Sequence, residues 1–113
     1  MRVSVVYRTL RYPPSWPQKP AQEKGVDVLL AVNLVKAAQL GTWDVVILAT
    51  HDTGLEPALE MAVADGSAKI ETSGWDSARI LRPRGRRLWH TALGPADMVR
   101  TRDRTNYLPP ASS

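Results

Sequence analysis

The chain contains no cysteine among its 113 residues. This absence excludes disulfide bonds and thiolate metal sites, and it leaves carboxylates as the side chains that can hold a metal ion. A chain without disulfides fits a cytoplasmic protein, which is the location we expect. No apolar run approaches the roughly 18 residues that a membrane-spanning helix requires. The N-terminus also lacks the pattern of a signal peptide, so we expect no membrane association.

The length suits one domain with a single hydrophobic core. Hydrophobic residues make up 43% of the chain and charged residues 23%, which is ordinary for a globular protein. We expect one domain over residues 1–108 and a disordered tail at 109–113.

Positive charge is unevenly distributed. The formal net charge is +4, and residues 79–104 contain eight arginines but only Asp97 and Asp103 as acids. Such a segment attracts phosphate groups, which predicts RNA as a partner; the alternative is an ordinary solvated basic surface. The candidate RNA-binding residues here are Arg82, Arg84, Arg86 and Arg87.

The first half of the chain alternates between extended and helical patterns. The β-branched residues 2–7 predict a strand, and the four prolines within 9–24 predict a long irregular connection. Residues 26–40 repeat apolar side chains at helical spacing around more than half the circumference. This pattern predicts a helix that packs on more than one side and ends at Gly41.

An almost unbroken apolar run at 43–50 predicts a strand buried on both faces, as in a parallel sheet. The pattern that follows predicts a helix at 55–66, strands at 68–72 and 86–93, and a final helix at 96–104. Alternating strands and helices of this kind predict an α/β fold with a mostly parallel sheet and helices on both faces, a three-layer αβα sandwich.

Asp52 follows the predicted buried strand directly. Ligands of parallel sheets bind at the carboxyl ends of strands, where a carboxylate can hold a divalent cation and direct water at a phosphodiester. The alternative is a helix cap, because Asp or Thr before a helix is typical of an N-cap and Thr53 with Glu56 matches the capping-box spacing.

Other polar residues have similar alternatives. Asp27 can cap the 26–40 helix or bind metal, and Asn33 interrupts the apolar band of that helix, either hydrogen-bonded or at a cleft. His51 suggests acid–base chemistry or RNA contact, although a loop histidine is usually an ordinary surface residue. Trp75 and Trp89 flank the arginines and can either stack on bases or pack in the core.

Residues 23–62, EKGVDVLLAVNLVKAAQLGTWDVVILATHDTGLEPALEMA, resemble the central part of NYN-domain proteins of the LabA-like group. The likeness lies in the Val-Asp-Val segment, the following helix, the Trp-Asp strand and the Pro-containing helix after Asp52. Flanking segments LRYPPSWP and RDRTNY are similar to actinobacterial members. The resemblance implies a PIN-like ribonuclease fold in which acidic residues bind Mg²⁺ or Mn²⁺ and cleave RNA.

By this resemblance Asp52 and Asp27 would be catalytic, and Asp52, Asp27 and Asn33 would be metal ligands. Asn33 stands where the family has an aspartate, Gly54 stands where a second loop aspartate is expected, and the family's first strand has no counterpart. We therefore expect weak or absent metal binding. A homodimer would compensate for the missing strand, unless the true start lies upstream.

Two hypotheses follow. The chain is a metal-dependent endoribonuclease with a degenerate acidic site, or it is a catalytically inactive module that binds RNA or a protein on the same scaffold. A third, weaker hypothesis is a subunit that completes its active site with another chain.

Overall fold

A computed structural model describes residues 2–109 of the chain. The helices are α1 (Val26–Gln39), α2 (Glu56–Asp65) and α3 (Pro95–Thr101), and the strands are β1 (Val45–Ala49), β2 (Lys69–Trp75) and β3 (Trp89–Leu93). Single 3₁₀ turns lie at Thr53–Leu55 and Pro83–Gly85. The predicted helices and the last three predicted strands are therefore confirmed, with boundaries shifted by a few residues. No helix among the described residues is long and apolar enough to cross a membrane.

The sheet is parallel, in the order β1-β2-β3. Val45 pairs with Lys69, and Glu71 pairs with Trp89. Because neighbouring strands are parallel, one crossover connection joins each strand to the next. The β1–β2 crossover is α2, whereas the β2–β3 crossover is irregular apart from the 3₁₀ turn at Pro83–Gly85. The predicted α/β class and parallel sheet are confirmed.

The core lies on one face of this sheet. Leu34 and Ala38 of α1 pack with Leu59 of α2 and with inward-facing strand residues Leu48 and Ile70. Leu81, from the irregular crossover, is 1% exposed and covers the same face. Both long helices therefore share one layer, on the face of the sheet that carries Leu48 and Ile70.

The prediction that the strand at 43–50 is buried on both faces is wrong. Val45 and Ile47 are 44% and 58% exposed, whereas Leu48 is buried, so burial alternates along β1 instead of covering both faces. The helix α1 is likewise packed on one side, since Val28 and Val32 are exposed. An apolar run shows that a segment is suited to burial, but burial also needs a layer of chain to cover it.

The predicted strand at 2–7 is wrong: these residues form no strand, and all six are exposed. The connection at 9–24 is irregular as predicted, with one antiparallel bridge between Arg11 and Gln22. Arg8 Nε lies 3.5 Å from the Lys24 carbonyl oxygen, which places the end of the 2–7 segment beside the start of α1. The predicted disordered tail lies, apart from residue 109, outside the described residues.

Candidate nucleic-acid interface

The carboxyl ends of the strands and the start of α1 lie at the same end of the fold. The Ala38 carbonyl, at the other end of α1, accepts hydrogen bonds from the backbone of Ser67 (2.8 Å) and Ala68 (3.3 Å), just before β2 begins. Since α1 therefore runs opposite to the strands, its first turn, with Asp27, is at the end where Asp52 follows β1.

Asp52 is the cap of the short 3₁₀ turn after β1. Its Oδ1 accepts the backbone N–H of Gly54 at 2.8 Å, and its own N–H donates to Thr50 Oγ1 at 3.2 Å. The carboxylate thus has the capping role that the sequence left open. A Cβ at Gly54 would lie 3.0 Å from the same oxygen, so a side chain there would crowd the cap.

The proposed metal ligands do not form a cluster. Asn33 is exposed and lies six residues beyond Asp27 along α1, about 9 Å of helical rise and roughly 240° of rotation away. Within residues 2–109 no three His, Asp or Glu side chains are placed to hold one metal ion. Mg²⁺ and Mn²⁺ bind through several oxygen ligands with offsetting charge, so the donor set of Asp52, Asp27 and Asn33 does not fit such an ion.

His51 connects the ends of β1 and β2. Its Nε2 accepts the backbone N–H of Trp75 at 3.0 Å, so Nδ1 carries the ring proton and donates to the Arg79 carbonyl at 3.2 Å. Both ring nitrogens are therefore occupied by backbone groups. A Cβ at Gly74 would lie 2.9 Å from Nε2, so the imidazole packs where only glycine leaves room.

The arginines of the β2–β3 crossover lie side by side along α2, from its first turn to its last. Arg82 lines a hollow of about 550 Å³ together with Glu56 and Arg79. Arg84 donates from Nε to Glu60 Oε2 at 3.3 Å and from its backbone N–H to Oε1 at 3.1 Å. It adopts a left-handed conformation with φ 49°, so this arginine shapes the turn.

Arg86 lies beside the last turns of α2, and Arg86 and Arg87 both meet the first residues of β2 and β3. With Lys69 and Trp89 they line a hollow of about 290 Å³, which we call the basic–aromatic groove. Lys69 Nζ is 5.9 Å from the centroid of the Trp89 ring and 3.1 Å from Glu71 Oε2. Trp89 is 65% exposed. Neither arginine forms a salt bridge with any described residue.

The predicted RNA-binding residues are thus not in one place. His51 is at the carboxyl end of the strands, whereas Arg86 and Arg87 are at the amino end, beside the start of β3. Sequence analysis missed Lys69, which enters the groove because Glu71 and Trp89 are paired in the sheet. It also missed Gly74, although a glycine inside a strand pattern is a recognised signal of close packing.

Comparison of the chain with protein-family models, with curated proteins and with solved structures finds no match in any of the three.

Proposed function

We propose that this chain is an NYN-type, PIN-like domain that binds single-stranded RNA through the basic–aromatic groove and does not cleave it. The observation that carries the proposal is the groove itself, where two arginines without acidic partners among the described residues flank an exposed tryptophan. The family part of the proposal rests on the resemblance of residues 23–62, and the PIN-like sandwich is its expected architecture.

The chemistry of the groove suits a flexible strand of nucleic acid. Guanidinium groups pair with phosphates in two-pronged geometry, and an exposed indole offers a flat surface on which a base stacks. Lys69 already lies against the Trp89 ring, and its side chain is 63% exposed, so a base can displace it at little cost. Val63, Ile70 and Leu88 also line the groove and give it apolar surface.

The capping role of Asp52 supports the non-cleaving half of the proposal. Its Oδ1 is engaged by Gly54, and no group of three or more His, Asp or Glu side chains that could hold a cation forms among residues 2–109. An NYN-type scaffold with this donor set retains a surface for RNA without the several carboxylates that metal-assisted hydrolysis relies on.

The binding test measures the affinity of a labelled single-stranded RNA by fluorescence anisotropy over a series of salt concentrations. In Arg86→Ala plus Arg87→Ala, we expect the slope of log affinity against log salt to fall by about 1.4, because each lost phosphate contact contributes roughly 0.7 on single strands. The matched control is Arg100→Ala plus Arg102→Ala. It removes the same charge at two arginines outside the groove, one in α3 and one directly after it. Equal losses in the two double variants would show a general charge effect and no defined groove.

Stacking is tested separately at Trp89. We expect Trp89→Ala to weaken binding by about 5- to 150-fold, the equivalent of 1–3 kcal/mol for one stacked base, and Trp89→Phe to retain most of it. Unchanged affinity in Trp89→Ala would contradict the stacking role.

Cleavage is tested on the same RNA with Mn²⁺. We expect the RNA to stay intact with the wild type. Asp52→Asn removes the carboxylate charge and keeps an oxygen for the cap, so cleavage by the wild type that is lost in this variant would refute the non-cleaving proposal and support the endoribonuclease.

A further inference from the structure

The N-terminal segment, residues 2–7, is rich in valine, is exposed along its whole length and pairs with no strand of residues 2–109. Val3, Val5 and Tyr7 alternate along it, and Tyr7 is 83% exposed. Alternating β-branched and aromatic residues are suited to a pleated strand with one covered face. Yet residues 2–7 pair with no strand among the described residues.

The connection that follows this segment is folded back on itself. The bridge between Arg11 and Gln22, with backbone hydrogen bonds of 2.7 and 2.9 Å, folds the connection into a hairpin-like loop. Arg8 Nε–H donates to the Lys24 carbonyl at 3.5 Å beside the start of α1, and residues 2–7 before it are all exposed. No strand pairing among residues 2–109 therefore has to be broken before the segment can pair with another strand.

The edge of the sheet at β1 is open. β1 pairs only with β2, so the backbone groups along its outer side have no strand partner within residues 2–109. Val45 and Ile47 are exposed on the face opposite to α1 and α2. An unprotected edge of this kind, carrying apolar residues, pairs readily with another extended segment.

Charge distinguishes β1 from the other open edge. β1 is flanked by Asp44 and Asp52 and by no lysine or arginine, whereas the segment begins with Arg2 and is followed by Arg8. Whether the segment runs parallel or antiparallel to β1, Arg2 and Arg8 each lie toward one of these two aspartates. The β3 edge is preceded by Arg86 and Arg87, which would repel these arginines.

We propose that residues 2–7 of one copy of this chain add as a fourth strand to the β1 edge of a second copy, and that the exchange is reciprocal. Main-chain hydrogen bonds supply the pairing, and Val3, Val5 and Tyr7 lie beside Val45 and Ile47 on the uncovered face. A reciprocal exchange closes after two copies, whereas one-way addition would continue into a filament. The proposal does not depend on RNA binding, because the basic–aromatic groove lies toward the β3 edge.

The first test is the mass of the chain in solution by sedimentation velocity. We expect a species of twice the 12.5 kDa of one chain. Val5→Pro, which removes a strand N–H, should abolish that species. Val5→Thr, which keeps the N–H and the β-branched shape, should retain it. A monomeric wild type, or a dimer that survives Val5→Pro, would overturn the proposal.

The second test locates the contact, and it uses the absence of native cysteine. Chains carrying Val5→Cys are mixed with differently tagged chains carrying Ile47→Cys, and disulfide-linked heterodimers are measured after mild oxidation. The controls are Met98→Cys on α3 and Met61→Cys in the apolar groove between α1 and α2, both exposed positions. We expect the Val5–Ile47 pair to link in preference to both. Equal yields with either control would show that the segment does not lie on β1.

Discussion

The close packing of His51 against Gly74 gives a quantitative prediction. Replacing Gly74 with alanine places a Cβ 2.9 Å from Nε2 and 3.0 Å from Nδ1 of the imidazole, too close for either atom to stay. Gly74 lies in β2 and is not in a left-handed conformation, so its backbone accepts alanine. The cost of Gly74→Ala must therefore come from displacing His51.

The magnitude follows from the two hydrogen bonds that the imidazole makes. Losing the bonds to Trp75 N–H and to the Arg79 carbonyl should lower the free energy of unfolding by about 1–3 kcal/mol, at 0.5–1.5 kcal/mol each. His51→Ala removes the same two bonds. In that background the space for a Cβ is free, so adding Gly74→Ala should change the free energy of unfolding by less than about 0.5 kcal/mol.

Urea unfolding followed by tryptophan fluorescence measures the free energy of unfolding of the wild type, Gly74→Ala, His51→Ala and the double variant. Trp75 is a reporter close to both positions. The matched control is His90→Ala, which removes the other histidine, bonded to Thr72 at 2.8 Å. In the His90→Ala background Gly74→Ala should keep its full cost. If Gly74→Ala is equally costly without His51, the packing argument is refuted.

Three further predictions concern other contacts. Asp52→Ala should lower the free energy of unfolding by about 1 kcal/mol through loss of the cap on Gly54, and Asp52→Asn should be close to neutral in chemical denaturation; equal losses would contradict the cap. The pKa of Asp103 is lowered to about 2, chiefly by the Tyr107 hydroxyl, so Tyr107→Phe should raise it toward 3.8 in an NMR titration. Because that pKa is lowered, the contact stabilises the fold above pH 3.8 and is lost as the pH falls through about 2; an unchanged titration in Tyr107→Phe would exclude the contact. Leu59→Ala, at a fully buried position, should cost about 2–5 kcal/mol in the same unfolding assay, and a cost under 1 kcal/mol would contradict the assigned core.

Local patterns predicted the regular elements well. The helical spacing of 26–40 becomes α1, and the apolar run at 43–50 becomes β1, because hydrophobic period and turn residues act over a few neighbouring positions. The same patterns failed at 2–7, where a strand-like sequence has no strand to pair with. Strand propensity describes a segment, whereas a strand requires a partner that the segment itself does not specify.

The candidate site was less predictable. The capping alternative for Asp52 was visible in the sequence because a cap involves residues two or three positions apart. The role of His51 was not visible, since its partners Trp75 and Arg79 are more than twenty residues away. The basic–aromatic groove was anticipated only in part: the arginines and Trp89 were noted, and Lys69 was not.

The absence of cysteine, noted at the outset, means that no disulfide bond contributes to the stability of this chain. The sequence by itself determined the order of the helices and strands from residue 26 onward and offered the cap after β1 as one alternative, because these depend on contacts between near neighbours. Only the tertiary structure decided which face of the sheet is covered, which arginines have acidic partners and what His51 binds. Those outcomes depend on the register between strands and on the path of the crossovers, which join residues far apart in the chain.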